Sequence, residues 1–198
     1  MQLLVFQYIG MNACDQFFIF ANRINFLILQ QKFYNIKMNF AYLLLGGNMG
    51  DREAVIAKAA EFIHASCGKI IRKSSLYESE PWGFETDNQF VNQVILIETV
   101  MDAGDLLQNL LNIELLLGRV RNQSNTYASR LIDIDILFFN DEVINIENLK
   151  IPHPLLHERR FTMAPLKEIA ENFTHPGFNK TIRDMYDECN DISKVTKI

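Results

Sequence analysis

Residues 118–139 read GRVRNQSNTYASRLIDIDILFF, and the fold turns on how the second half of that stretch is assigned. Residues 131–139 are rich in Ile, Leu and Phe and predict a strand, within which Asp133 and Asp135 stand two apart. The side-chain period of a strand is two, so both carboxylates project from one face while Ile132, Ile134 and Ile136 occupy the other. Like charges among apolar neighbours repel and raise each other's pKa. A hard divalent cation relieves them, and Mg²⁺ takes one or two carboxylates plus substrate phosphates. Just upstream, Arg119, Arg121 and Arg130 sit in a segment without acids, whose Asn, Gln, Ser, Thr and Tyr favour a loop that hydrogen-bonds phosphate oxygens. Acids for a metal beside arginines for phosphates point to phosphoryl transfer from a nucleotide. The alternative is a solvated strand edge with its arginines paired to surface acids. The apolar flank on both sides of the carboxylates counts against that.

A chain of 198 residues suits one domain, and 48% hydrophobic with 22% charged residues supports a packed core. The net charge of −5 argues against a dedicated nucleic-acid binder. Cys14, Cys67 and Cys189 form no Cys-x-x-Cys pair and read as reduced thiols of a cytoplasmic protein, not as disulfides or a zinc site. Residues 1–37 are apolar but rich in Asn and Gln, without the basic start or cleavage site of a secretory signal. Asp15 and Arg23 interrupt them short of the ~20 uncharged residues of a membrane span, so no membrane partner is expected. The segment reads either as an extra helix on the domain or as sequence upstream of a true start at Met38. The second reading is favoured, with the domain at 38–198.

Residues 40–45 predict a strand stopped by Gly46 and Gly47, and Asp51 an N-cap for a helix with Val55, Ala59, Phe62 and Ile63 on its core face. GGNMG between them lacks the Lys-Ser/Thr of a P-loop and reads as a tight turn, with an anion site as the alternative. Residues 69–78 read as one strand, broken at Pro81-Trp82-Gly83. Trp82 and Phe84 then either sandwich a planar ligand or anchor the loop. Residues 90–98 predict a strand with Phe90, Asn92, Val94 and Leu96 on one face, a ring and an amide suited to a heterocycle. Residues 102–118 predict a helix with Leu106, Leu110, Ile113 and Leu117 inward. Glu114 on it reads as solvated, its nearness to the arginines being the one hint of more. Asn140-Asp141 predicts a hairpin turn into Val143-Ile144. In IPHPLLHERRF two prolines fix His153, for a structural hydrogen bond or, with Arg159 and Arg160, for phosphate. Short helices near 163–171 and 181–189 close the chain.

In order, LLLGGNMGDRE, YESEPWGF, FVNQVILIET, IELLLGRVRN, SRLIDIDILFF and IPHPLLHERRF resemble the 6-hydroxymethyl-7,8-dihydropterin pyrophosphokinase family over residues 40 to about 170. Gly-Arg-x-Arg upstream of Arg-x-x-Asp-x-Asp is the specific combination. The resemblance implies an α+β fold, a compact single domain with an antiparallel sheet and helices on both faces, related to ferredoxin-like folds. It implies transfer of the β,γ-diphosphate of ATP to the pterin hydroxymethyl group, releasing AMP, in tetrahydrofolate biosynthesis. Asp133 and Asp135 would hold two Mg²⁺ ions, with Arg119 and Arg130 as the catalytic arginines. Arg119, Arg121 and Arg130 would belong to a mobile loop over ATP. Glu114, Arg121, Ile136, His153 and Arg159 fall on ATP positions. Ser79, Trp82, Phe90, Asn92, Tyr127 and Phe161 fall on pterin positions, Phe90 and Phe161 being the stacking rings. No general base is assigned. The implied partners are the two small-molecule substrates, and the implied state is a monomer or weak homodimer.

The loop departs from the commoner family pattern. Thr126 and Tyr127 stand where many members have a basic residue followed by Trp, and the loop is about one residue longer. That bears on loop closure and rate more than on reaction type. Phe90 stands where many members have Tyr, which keeps the ring and drops a hydroxyl. The competing classes are another Asp-x-Asp metal enzyme, such as a nucleotide-sugar transferase, and a nucleotide-binding module without chemistry.

Overall fold

The computed structural model describes residues 37–83, 86–119 and 129–198, so the expectations for residues 1–36, Phe84, Arg121, Thr126 and Tyr127 lie outside it. Apolar residues on both faces make β1 (Asn39–Gly47) a central strand. It pairs antiparallel with β4 (Phe90–Thr99) on one side and with β5 (Asp133–Phe139) on the other. The far edge of β4 takes two short strands end to end, β2 (Lys69–Lys73) and β3 (Tyr77–Ser79). β8 (Val195–Lys197) pairs with β3 and completes a six-stranded sheet in the order β5-β1-β4-β3-β8, with β2 beside β4.

One face of the sheet, with Leu43, Leu45, Ile95, Ile97, Ile134 and Ile136, packs under α1 (Arg52–Ser66) and α2 (Ala103–Leu116). The other, with Leu44, Val94, Leu137 and Phe138, packs under α3 (Arg160–Ala170) and α4 (Ile182–Asp187). This is the expected antiparallel α+β sheet with helices on both faces. Asp51 caps α1 as predicted, accepting from Ala54 N–H, and Asp102 caps α2, accepting from Asp105 N–H. The β1–β5 register slips between Tyr42 and Leu43, opposite Phe138 and Ile136, and leaves Leu137 as the extra residue of a bulge. Leu137 and Phe138 therefore both enter the α3 side, while the strand before the bulge alternates and keeps Asp133 and Asp135 on one face.

Four expectations are corrected. Gly46 and Gly47 belong to β1, which runs on to Gly47 instead of stopping at Leu45. The single strand over 69–78 is two, because the Ser74 hydroxyl replaces a backbone acceptor. Its Oγ accepts from Val94 N–H at 3.0 Å while its own N–H donates to Val94 O, and the chain steps out of the ladder there. On α1 the fully buried face is Ile56, Ala59, Ala60 and Ile63, with Val55 and Phe62 at its margin. The hairpin from β5 does not form: β6 (Ile144–Ile146) pairs with β7 (Leu149–Ile151), and the outer edge of β5 instead accepts His153 N–H at Leu137 O. Asn140 does turn the chain, at φ 50°, but its amide is spent on β1, accepting from Phe40 N–H at 2.8 Å. Strand β8 was not foreseen. Cys67 and Cys189 are free, and among the described residues no helix is long and apolar enough to cross a membrane.

Candidate active site

A row of residues across the sheet builds the site. Gly46 pairs with Asp133 on one side and Asn92 on the other. A Cβ at Gly46 would stand 2.7 Å from Asn92 Oδ1, and one at Gly47 would stand 2.3 Å from Leu131 O. Both positions need the bare backbone, one to seat the amide and the other to let the chain return from the arginine loop.

That return is pinned by Asn48, a buried residue of the GGNMG turn. Its N–H donates to Arg130 O at 3.0 Å, its Oδ1 accepts from Arg130 N–H at 2.8 Å, and its Nδ2 donates to Ser129 Oγ at 3.0 Å. Sequence reasoning passed over Asn48. The available signal was an Asn in a turn, a residue type that habitually bonds backbone.

Charge converges on Asp133. Arg119 bridges Glu114 and Asp133, the second contact at 2.5 Å, and Arg130 takes the other oxygen of Asp133. Glu114 is not solvated as expected but 1% exposed. Packing of α2 on β5 buries it, and Ile134 N–H compensates it at 2.7 Å. Burial, then the charge of Asp133, pushes its pKa up to about 7 against the pull of Arg119. Asp135 is raised for the same two reasons, against Arg159 and Arg130. In His153, burial and then the Arg159 cation push the pKa down to about 4, so the ring is neutral at physiological pH. Its Nδ1 accepts from Leu155 N–H at 3.3 Å, which leaves the ring proton on Nε2.

Two clefts meet at these groups. The first, about 370 Å³, is walled by Ser79, Trp82, Phe90, Asn92, Arg159 and Phe161 and floored by Arg119, Arg130, Asp133, Asp135 and His153. Its polar wall is internally matched, with Asn92 Nδ2 donating to Ser79 Oγ at 3.0 Å. The second, about 260 Å³, is lined by Leu107, Leu111, Glu114, Ile136, Asn148, Leu149 and Lys150, and shares Arg119, Asp133, Asp135 and His153 with the first. Arg159 stands on the aromatic side, its guanidinium carbon 4.7 Å from the Trp82 ring and 5.7 Å from that of Phe161. Pro154, one of the two prolines beside His153, and Leu155 also line the clefts, as do Asn148 and Lys150, which carried no signal in the sequence. Arg121 and Tyr127 lie outside the described residues.

Asp133 and Asp135 offer oxygen donors only. Among the described residues no group of three His, Cys, Asp or Glu gathers for a metal. Two carboxylates suit Mg²⁺, which fills its remaining positions with phosphate oxygens and water.

Convergent arginines, a carboxylate pair and an aromatic-walled cleft on one sheet are the parts of a metal-assisted group-transfer enzyme for a planar substrate. The model of the 7,8-dihydro-6-hydroxymethylpterin-pyrophosphokinase (HPPK) family matches residues 42–171, and the chain belongs to that family. The 2-amino-4-hydroxy-6-hydroxymethyldihydropteridine pyrophosphokinase of Bacillus subtilis (strain 168) is 41% identical over 134 residues, covering 67% of this chain and 79% of that protein. The protein of the same name from Aquifex aeolicus is 39% identical over 151 residues, covering 76% and 92%. Plasmodium falciparum HPPK-DHPS, in its crystal structure with pteroate, superposes with a TM-score of 0.61 at 20% identity. That likeness covers 77% of this chain and 44% of that longer one, and it shows the shared fold.

Proposed function

We infer that the chain transfers the β,γ-diphosphate of ATP to the hydroxymethyl group of 6-hydroxymethyl-7,8-dihydropterin, releasing AMP, as a step of folate biosynthesis. The observation that carries this reading is the meeting of two clefts of different character at Asp133 and Asp135. On the aromatic side, Phe90 and Phe161 would hold the faces of the heterocycle, Ser79 and Asn92 its polar edge, and Trp82 the rim. On the other side, Glu114, Ile136 and His153 would line the nucleotide. Arg159, at the junction, would offer its charge to phosphate from behind the rings. Arg121 would join Arg119 and Arg130 on phosphate oxygens, and Tyr127 would cover the pterin, when the 120–128 segment closes.

Asp133 and Asp135 would hold two Mg²⁺ ions, which when bound lower the pKa of the substrate hydroxyl and neutralise phosphate charge. The protein's own work is positioning. The two walls bring the hydroxyl oxygen in line with the β-phosphorus; its proton leaves to water, the O–P bond forms, and the bond to the AMP oxygen breaks with that oxygen keeping the electron pair. Arg119 and Arg130, preorganised by Glu114 and Asn48, stabilise the charge that develops on transfer. The neutral His153 with its proton on Nε2 donates there without adding charge. The enzyme is placed in the cytoplasm as a monomer or weak homodimer, with residues 1–37 an extension outside the transfer domain.

A coupled assay of AMP release tests the reading. Release should require both the hydroxymethyl dihydropterin and Mg²⁺. ATP consumption indifferent to the pterin would refute the inference.

A further inference from the structure

Residues 188–198 lie beyond the family match at 42–171 and take no part in the transfer chemistry, yet they reach both walls of the aromatic cleft. On one wall β8 adds to β3 with Val195 opposite Ser79, and Ile198 N–H donates to Leu76 O at 3.0 Å. Lys197 Nζ meets Glu168 on α3 at 3.1 Å, and the same carboxylate accepts from Tyr77 Oη at 2.8 Å. On the other wall α3 begins at Arg160, and its N-cap residue Arg159 makes no side-chain capping bond. Asp191 supplies that bond from a distance, its Oδ2 accepting from Arg160 N–H at 2.8 Å. Its Oδ1 accepts from Ser193 N–H at 2.9 Å and from the Ser193 hydroxyl, which fixes the carboxylate. The Arg160 guanidinium bonds Tyr186 Oη at 2.9 Å. Arg159 and Phe161, on either side of this anchored residue, face the cleft with Trp82.

We propose that residues 188–198 are a positioning strap for the heterocycle: Asp191 caps α3 and so holds Arg159 and Phe161 in place, while β8 backs the strand that carries Ser79. The proposal rests on the function inferred above and assigns a determinant of its pterin affinity. The first N–H groups of a helix have no partner within it, and a carboxylate there both bonds them and complements the helix dipole. Without Asp191 the first turn of α3 frays. A ligand that stacks on Phe161 then has to reorder the turn as it binds, and loses affinity by that amount. The nucleotide side is built on α2 and β5, and β5 lies at the opposite end of the sheet from β8.

Steady-state kinetics on the full chain separate the possibilities. Asp191→Ala should raise the KM for hydroxymethyl dihydropterin roughly fivefold, the scale of a lost cap, with kcat unchanged and the KM for ATP rising by clearly less, through Arg159 alone. Trp82 is the one tryptophan of the chain, so its emission should shift as Arg159 loosens above it. Asp191→Asn keeps an acceptor and should restore most of the affinity. Ser193→Ala, which leaves helix and cleft intact, should move the pterin KM the same way by less, and it carries the test should Asp191→Ala not fold. A lower Tm with wild-type pterin KM and emission would overturn the strap, as would equal losses for both substrates. If the wild type itself showed no affinity for the pterin, the inferred function would fall too; normal affinity in wild type and variants alike would sink the strap alone.

Discussion

The two clefts that meet at Asp133 and Asp135 are held by different physics. The aromatic cleft is a product of packing: its rings stand on β4 and the start of α3, and its polar pair, Ser79 and Asn92, bond each other. The other side is a product of charge, with Glu114, Arg119, Asp133 and Arg130 balancing one another where α2 packs on the start of β5. Packing yields affinity for a shape, whereas balanced charges yield rate by responding to what develops in the transition state. Substitutions on the two sides should therefore separate binding from turnover.

The largest separation is expected at the acids. Asp133→Ala or Asp135→Ala should cut AMP release by roughly 10³-fold or more, since metal-assisted stabilisation is lost, while pterin affinity changes little. Near-normal release from both variants at ordinary Mg²⁺ would remove the metal assignment. Next is Arg130→Ala, with turnover down about 10²-fold, the scale of losing one preorganised donor. Arg130→Lys should recover only part, because a point charge lacks the guanidinium fork. Strong loss of pterin binding with turnover spared would mean that Arg130 serves the wrong side. Phe161→Ala should do the converse, raising the pterin KM about tenfold with saturated turnover kept, the order of a lost aromatic stack and its buried area. An equal fall in kcat would show that the ring also sets the reacting geometry.

What could be read in advance was local. Asp133 and Asp135 share a face because of a two-residue period, and Asp51 caps because a cap needs only its own next turn. The antiparallel sheet with helices on both faces was legible chiefly through the family resemblance. What failed depends on partners distant in the chain. Ser74 ends a strand because Val94 happens to lie opposite it, and Ile144–Ile146 finds β7 because His153 already occupies the edge of β5. Glu114 looked solvated from its helix alone. Packing on β5 buries it, and Ile134, twenty residues on, brings the N–H that compensates it. Asn48 and Asp191 bond backbone 82 and 31 residues away, and no periodicity announces such a contact.

The smallest effect is on stability, and it sharpens the comparison by asking what the charged side costs. Without a cation, burial and then the charge of Asp133 raise the pKa of Asp135 to about 7. The same carboxyl in the unfolded chain titrates near ~3.9. Between those values the native protein keeps a proton that the unfolded chain has released, so stability falls as pH rises through that window. Above the window the penalty is constant, and below both values it vanishes. Asp135→Asn removes the ionisation and keeps the shape. In chelator its Tm should therefore exceed that of the wild type by a few degrees at about pH 8, with the gain fading toward about pH 4. Glu114 is shifted in the same direction, but it remains in both proteins, so its direct contribution largely cancels in the difference. Mg²⁺ with a nucleotide should stabilise only the wild type and so close the gap. A variant less stable than the wild type at about pH 8 would mean that Arg159 and Arg130 already outweigh the burial of Asp135. The charged side would then be held together by its own ion pairs, as the aromatic side is by its packing.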